Sequence, residues 1–304
     1  MNNSGSATLV RQRMAAVGFV SALLAVVPSA SATAIPPTDA VNLQCGSVVT
    51  RDVRLSHDLI GCTGNGLVVG ADGVDIDLDG HLISGTGPFV SLSGIDIDAH
   101  RHVRIHDGRI SDFSRGVLAY DADAVRVERL KVTRTLEGVN VEESTGVKVI
   151  GNQLAANREG MVLRRTERAT VAGNVVVDNA TTGITDIDSR ANLHARNHVA
   201  GNTFDGIALE SAVNSIVVEN TVRENGLDGI NAVVGSGVRY LGNRVSHNDE
   251  NGINDSGDGT VWRQNVANRN GAVGLRADGP DAVDAGGNQA RGNGEQNCLG
   301  IRCR

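Results

Sequence analysis

The chain has 304 residues, of which 35 are Asp or Glu and 28 are Lys or Arg, which gives a net charge of -7. This excess of acids argues against nucleic acid or another polyanion as a partner. The length does not fix the number of domains, because a repeat protein grows by adding units that contact only their neighbours.

A secretory signal peptide is predicted over residues 1–34. Arg11 and Arg13 precede the apolar run Met14–Val27, and a small-residue cleavage site follows at Ala34. The apolar run is shorter than the roughly 20 residues that a membrane-spanning helix needs, and no later stretch is apolar enough to span a bilayer. We therefore expect an exported protein without a membrane span after cleavage.

A glycine followed by an aliphatic residue recurs every 22 or 23 residues, and this repeat organises residues 66–293. The glycines of the series are Gly94, Gly116, Gly138, Gly160, Gly183, Gly206, Gly229, Gly252 and Gly274. Gly66 opens the same series, with Thr86 to Ser93 as an inserted loop in its coil. A fixed period of this length is typical of a solenoid.

Within each repeat, β-branched residues alternate with polar ones, as in Val147-Lys-Val149, which indicates short strands. Such strands bury their apolar face only when copies stack about 4.8 Å apart. The sequence therefore predicts an all-β, single-stranded parallel β-helix of about ten coils. One inward column is expected to contain Ile95, Val117, Val139, Met161, Ile184, Ile207, Ile230, Ile253 and Leu275.

Asparagine recurs at two fixed positions after the coil glycine, where corners are expected. The two series are Asn152, Asn174, Asn197, Asn220, Asn243 and Asn288, and Asn157, Asn179, Asn202, Asn225, Asn248 and Asn293. Asparagine suits turns, and stacked amides can hydrogen bond along a sheet. This structural interpretation is favoured over ligand binding.

The four cysteines lie outside the repeats, at the two ends of the mature chain. In an exported protein they predict the disulfides Cys45–Cys62 and Cys298–Cys303, because crossed pairings would have to join opposite ends of a rod. A zinc site is the alternative, but the spacing and the absence of companion histidines argue against it. We expect terminal caps at residues 35–65 and 294–304.

The Gly-aliphatic coils with Asn corners, and the segment from Gly66 to His81, resemble the right-handed parallel β-helix repeat proteins. This group includes pectate lyases, polygalacturonases, alginate epimerases and exported NosD-like proteins. The resemblance implies the fold for nearly the whole mature chain. It implies activity only weakly, because enzymes and binding members share the same coils. The enzymes of the group act on polysaccharides with carboxylates, sometimes calcium, and an arginine or lysine.

Counting from the coil glycines predicts one outward patch of charged side chains on adjacent strands. Its members are Asp75, Asp77, Arg104, His106, Arg126 and Glu128. Asp77, Arg104, His106, Arg126 and Glu128 are the catalytic candidates, because they combine a base, carboxylates and sugar-binding arginines. The alternative is a set of solvent-exposed cross-strand ion pairs that stabilise the sheet.

The sequence assigns no metal site, but it contains one candidate cluster of ligands. Asp96 and Asp98, near His100 and His102, are candidates for calcium or another divalent metal, although single acids are ordinary on a solenoid surface. No other cofactor is expected. Copper needs soft ligands or clustered histidines, and this chain has few methionines and paired cysteines.

The function predicted from the sequence is a secreted, noncatalytic carbohydrate-binding or structural module. Its partner would be an extracellular or cell-wall polysaccharide. The coils are uniform in length, whereas enzymes on this fold build clefts from long insertions, and aromatic residues are few. Of these, Tyr120 and Trp262 are expected to face outward and Tyr240 inward. The alternative is a lyase or hydrolase that acts on an acidic polysaccharide at the outward patch.

Overall fold

The computed structural model describes residues 42–88 and 91–304. The signal peptide predicted at residues 1–34 lies outside these residues. The described chain is an all-β, right-handed parallel β-helix in which each strand pairs in parallel with its counterparts in the coils before and after it. Twelve strands stack in one sheet, so the solenoid has about eleven turns, close to the predicted ten.

Each complete coil adds one strand to each of three sheets. The first sheet contains β1 (Ser47–Val49), β4 (Leu67–Val69), β7 (Ser93–Asp98), β9 (Arg115–Tyr120), β11 (Glu137–Glu142), β14 (Glu159–Arg164), β17 (Ile184–Ile187), β20 (Ile207–Glu210), β23 (Ile230–Val233), β26 (Ile253–Asp255), β29 (Leu275–Ala277) and β32 (Cys298–Leu299).

The second sheet contains β2 (Val53–Arg54), β5 (Asp75–Asp77), the first halves of β8 (Arg104–Ser111) and β10 (Arg126–Thr133), then β12 (Lys148–Ile150), β15 (Thr170–Ala172), β18 (Leu193–Ala195), β21 (Ile216–Val218), β24 (Arg239–Leu241), β27 (Val261–Arg263) and β30 (Val283–Asp284).

The third sheet contains β3 (Leu59–Cys62), β6 (Leu82–Gly85), the second halves of β8 and β10, then β13 (Gln153–Ala155), β16 (Val175–Val177), β19 (His198–Ala200), β22 (Thr221–Arg223), β25 (Arg244–Ser246), β28 (Val266–Asn268) and β31 (Gln289–Arg291).

The core is built from aliphatic columns, and the predicted column is confirmed. Its residues from Ile95 to Leu275 pair in register along the first sheet and have no exposed surface. Leu67 pairs with Ile95, so the coil of Gly66 belongs to the series. Burial of these side chains is the main force that holds the coils together.

The coil glycines are required by the close approach of successive coils. A Cβ atom at Gly116 would lie 2.4 Å from the carbonyl oxygen of Gly138, and one at Gly138 would lie 2.4 Å from that of Gly160. These contacts are with backbone atoms, which cannot move aside as a flexible side chain would. A larger residue would therefore push two coils apart.

The two asparagine series form buried ladders, as predicted. The Oδ1 atom of Asn220 accepts hydrogen bonds from the backbone N–H and the side-chain amide of Asn197, at 2.9 and 3.0 Å. Its own amide donates to Asn243 Oδ1 at 3.0 Å. Asn265 and Asn270 continue the two ladders. The fixed spacing missed them because the coil of Gly252 is one residue shorter.

The same short coil explains one wrong prediction. Tyr120 is exposed and Tyr240 is buried, as expected, but Trp262 is fully buried instead of facing outward. The coil is one residue shorter in the turn between Asp255 and Asp258 and not in a strand, so Trp262 still pairs with Tyr240. The two rings pack with their centroids 4.5 Å apart.

Both predicted disulfides are present, one at each end. The Cα atoms of Cys45 and Cys62 are 5.3 Å apart, and those of Cys298 and Cys303 are 6.2 Å apart. Strands of both terminal segments, β1 and β32, pair with the first sheet and so extend the solenoid. Among the residues that the structure describes, no helix has the length and hydrophobicity to cross a membrane.

Candidate functional site

The outward patch predicted from the sequence lies on the second sheet, where β5, β8 and β10 are neighbours. The register places Asp77, His106 and Glu128 in one column and Asp75, Arg104 and Arg126 in the next. The alternate positions Ile76, Ile105 and Val127 point into the core and are fully buried. The structure therefore brings all six predicted residues together on one face.

His106 is held between carboxylates. Its Nε2 atom lies 2.8 Å from Asp75 Oδ1, and its Nδ1 atom lies 2.6 Å from Asp107 Oδ2 and 3.8 Å from Asp77 Oδ1. The side chain is only 9% exposed, so neighbouring side chains shield His106 from solvent although it lies on the outward face. Burial lowers the pKa of His106, but the hydrogen bonds to Asp75 and Asp107 outweigh it and the net pKa is raised.

Glu128 is held by three arginines. Arg126 Nε donates to Oε1 at 2.8 Å, while Arg104 Nε and Arg129 Nη1 donate to Oε2 at 3.0 and 3.4 Å. The Glu128 side chain is 8% exposed. Burial raises the pKa of this carboxyl, but the hydrogen bonds and charges of Arg126 and Arg104 outweigh it and the net pKa is lowered. Glu128 is therefore ionised at neutral pH.

Sequence reasoning missed two members of the patch, Asp107 and Arg129. They occupy the corner between the second and third sheets in left-handed conformations, with φ of 59° and 51°. Arg129 binds both oxygens of Asp107 at 2.6 Å, and this lowers the pKa of Asp107 to about 2. Both residues directly precede the expected asparagine corner position, and this spacing is the signal that would have placed them beside the patch.

With Arg54, Asp79, Asp107 and Arg129, the patch forms one ion-pair network. When His106 is protonated, five cations face five anions: Arg54, Arg104, His106, Arg126 and Arg129, and Asp75, Asp77, Asp79, Asp107 and Glu128. The arrangement can stabilise the sheet surface by mutual neutralisation. The catalytic role of Asp77, Arg104, His106, Arg126 and Glu128 stays a prediction.

The second pair of acids projects outward from β7, as expected. Asp96 is half-buried and accepts a hydrogen bond from Asn65 Nδ2 at 2.7 Å, while Asp98 is exposed beside Tyr120. Burial raises the pKa of Asp96. Within the described residues, potential metal donors converge at Asp77, His106 and Asp107 instead. Calcium at Asp96 and Asp98 stays a prediction.

A second surface, which the sequence did not single out, is a shallow groove of about 400 Å³ on the outer face of the first sheet. Small side chains form its floor, because Thr185 and Ala208 are neighbours in the register of β17 and β20. Phe204 rises along one side, 47% exposed, and Glu210 lies on the other. We call this surface the first-sheet groove.

The polar residues of the first-sheet groove are threonines, acids and Arg158. Glu159 accepts a hydrogen bond from the Thr185 hydroxyl, and Asp205 accepts one from the backbone N–H of Asp228 at 2.9 Å. Burial raises the pKa of both Glu159 and Asp205. Sequence reasoning overlooked the groove because its shape comes from small residues between taller neighbours, which alternation alone does not reveal.

The stacked coils define the class of this chain as a right-handed parallel β-helix protein. Residues 76–279 match the NosD family, described as periplasmic copper-binding protein, and the chain belongs to that family. No curated protein is significantly similar to the chain in sequence.

Solved structures with the same fold include epimerases and a tailspike protein. The periplasmic alginate epimerase AlgG aligns with a TM-score of 0.62 and 17% identity, over 77% of this chain and 61% of AlgG. The AlgE6 A-module, a mannuronan C-5 epimerase of Azotobacter vinelandii, aligns with a TM-score of 0.59 and 15% identity over 84% of each chain. The Dettilon tailspike protein gp208 aligns with a TM-score of 0.61 and 13% identity, over 84% of this chain and 60% of the tailspike. At these identities the likeness shows the fold alone.

The donor atoms of the described residues do not fit a soft Cu(I) site. All four cysteines are in disulfides, and the thioether of Met161 is buried in the inward column. Cu(I) prefers thiolate and thioether ligands. The two disulfides indicate an oxidising compartment, in agreement with the periplasmic description of the family.

Proposed function

We propose that the chain is a noncatalytic polysaccharide-binding module of the periplasm or the cell exterior, and that the glycan lies in the first-sheet groove. The observation that carries this proposal is the exposed ring of Phe204 beside a floor of Thr185 and Ala208. A flat apolar ring can cover the apolar face of a sugar. Hydroxyl and carboxyl groups at Thr182 and Asp205 can bind its hydroxyls.

The charge of the groove indicates the kind of glycan. Glu159, Asp205 and Glu210 line it against one cation, Arg158. An acidic groove on an acidic protein repels carboxylated or sulfated chains, because like charges face each other as the ligand is desolvated. We therefore assign it to neutral glycans or glycans with cationic amino groups. The alternative function, a lyase or hydrolase at the second-sheet patch, would instead act on an acidic polysaccharide.

The second-sheet patch supports a structural interpretation. The catalytic candidates there are already bonded to partners of opposite charge, including Glu128 to three arginines and His106 to two aspartates. A substrate would have to replace those partners. The related structures that act on polysaccharides, such as AlgG, support a carbohydrate partner for this fold.

Binding to immobilised polysaccharides tests the groove. The mature protein is expected to bind a neutral or amino-sugar polysaccharide, and Phe204→Ala is expected to weaken binding about tenfold, equivalent to about 1.4 kcal/mol. Val175→Ala is the matched control, because Val175 is 37% exposed on the third sheet. Equal loss in both variants, or unchanged binding by Phe204→Ala, would refute the groove.

A cleavage screen with and without calcium tests the alternative lyase or hydrolase. We expect no cleavage of neutral or acidic polysaccharides by the wild-type protein. Cleavage by the wild type that disappears in an Arg104→Ala/His106→Ala double variant would overturn the noncatalytic assignment. It would also establish the second-sheet patch as an active site.

A further inference from the structure

The ion-pair network contains the donor set of a metal site. One imidazole nitrogen and two carboxylates, from Asp77, His106 and Asp107, lie within 4.8 Å of one another. The register of β5 and β8 makes Asp77 and His106 neighbours. Asp107 follows in a left-handed conformation that turns its carboxylate back onto the ring, 2.6 Å from Nδ1.

The imidazole is already oriented for coordination. Its Nε2 atom bonds to Asp75 Oδ1 at 2.8 Å, which leaves Nδ1 directed toward Asp77 and Asp107. A metal-binding histidine commonly donates its other ring N–H to a carboxylate in this way. The His106 side chain is 9% exposed, so packing restricts the movement of the ring.

We propose that Asp77, His106 and Asp107 bind one divalent transition-metal ion of the Zn²⁺ type, and that Asp75 is a positioning residue for His106. One nitrogen and two oxygen donors suit such an ion, with the remaining positions open to water. Calcium prefers six to eight oxygen ligands and fits this donor set poorly. A shallow depression lined by Asp77, Asp107, Arg109 and Arg129 gives the ion access from solvent.

The arginines around the proposed site are expected to weaken its affinity for the metal ion. Arg129 binds both oxygens of Asp107, and Arg54 lies 3.6 Å from Asp77 Oδ2. Each carboxylate oxygen retains a further lone pair that a metal ion can use, but the metal ion competes with the guanidinium group for the negative charge of the carboxylate. Removing Arg129 is therefore expected to tighten metal binding. A site whose only purpose is ion pairing would show no such gain.

Calorimetric titration of the chelator-stripped full chain with ZnCl₂ tests the proposal. One Zn²⁺ per chain is expected to bind, and excess Ca²⁺ is not expected to displace it. Asp75→Asn is expected to weaken binding about 10- to 100-fold, as for other carboxylates that orient a ligand histidine. Arg129→Ala is expected to tighten it. Cu²⁺ is expected to bind the same residues more tightly than Zn²⁺.

Two variants separate the site from general adsorption to acids. His106→Gln removes the nitrogen donor and is expected to abolish stoichiometric Zn²⁺ binding. His198→Gln, on the third sheet, is the control and is expected to bind like the wild type. If His106→Gln folds poorly, Asp77→Asn replaces it, because Asp77 is 28% exposed. The proposal is overturned if the wild type shows no saturable binding, or if all these variants bind equally.

Discussion

A buried polar pair interrupts the aliphatic core in the coil that begins at Gly183. Asp186 and His194 have no exposed surface, and His194 Nε2 lies 2.8 Å from Asp186 Oδ2. Asn192 donates to both oxygens of Asp186 at 3.1 Å. In the adjacent coils, Leu163 and Leu209 occupy the position of Asp186, and Val171 and Val217 that of His194.

We predict that single and double replacements at this pair have opposite effects. Asp186→Leu leaves His194 and the Asn192 amide without their buried acceptor, and it is expected to cost about 3–5 kcal/mol. His194→Val removes the imidazole from the buried Asp186 carboxylate, which keeps the Asn192 amide as a donor, and is expected to cost a similar amount. The double variant restores the residues of the adjacent coils. It is expected to be as stable as the wild type or up to about 4 kcal/mol more stable.

Two details favour that outcome for the double variant. Asn192 keeps a hydrogen bond to the Thr166 hydroxyl at 2.7 Å, so its amide retains a partner. The added volume of Leu at 186 is partly offset by the smaller Val at 194, which limits overpacking.

Equilibrium unfolding in urea of the wild type, both single variants and the double variant gives the coupling free energy. A double variant that loses the sum of the two single losses would show that each side chain acts independently. That result would refute the reasoning. A coupling of several kcal/mol, with the double variant at or above the wild type, would support it.

Two further predictions concern polar groups that the fold has buried. Asn220→Ala removes a rung of the corner ladder and leaves the buried backbone N–H of Asn197 without its acceptor, although the Asn197 amide keeps its bond to the Val171 carbonyl oxygen. Urea unfolding is expected to show a loss of about 3 kcal/mol, against almost none for the exposed Gln153→Ala. The pKa of Glu128 is lowered, so its ion pairs stabilise the fold above the ordinary glutamate value of 4.5 and lose that effect as the pH falls through the lower folded value. Glu128→Gln is therefore expected to have a free energy of unfolding about 2 kcal/mol below that of the wild type at neutral pH, and this difference is expected to shrink in acid. A difference in unfolding free energy that does not depend on pH would contradict the role of the ionised Glu128 carboxylate.

Periodicity was sufficient to predict the fold. A repeat of 22 or 23 residues fixes which residues stack, so the column from Ile95 to Leu275 and the asparagine ladders follow from counting. The same counting placed His106 beside Glu128. It failed at Trp262, because a count cannot tell whether a missing residue is lost from a strand or from a turn.

The environment of the patch could not be predicted from position in the repeat. Burial of Glu128 depends on how Arg104, Arg126 and Arg129 fold over it, and these conformations are set by contacts across a corner. Strand alternation places a side chain on a face but does not say what covers it. The first-sheet groove is also a property of relative side-chain height among Thr185, Ala208 and Phe204, which no motif encodes.

The stacked coil glycines also constrain how this molecule can change in length over evolution. Because the carbonyl oxygen of Gly138 lies only 2.4 Å from where a Cβ of Gly116 would be, each coil is matched to the next at a fixed point. Adding or deleting one residue in a strand would shift every later rung of both asparagine ladders, whereas a turn absorbed such a deletion between Asp255 and Asp258. Duplication or loss of a whole coil preserves every match. The gene is therefore expected to lengthen or shorten in steps of one coil, with smaller insertions and deletions confined to the turns.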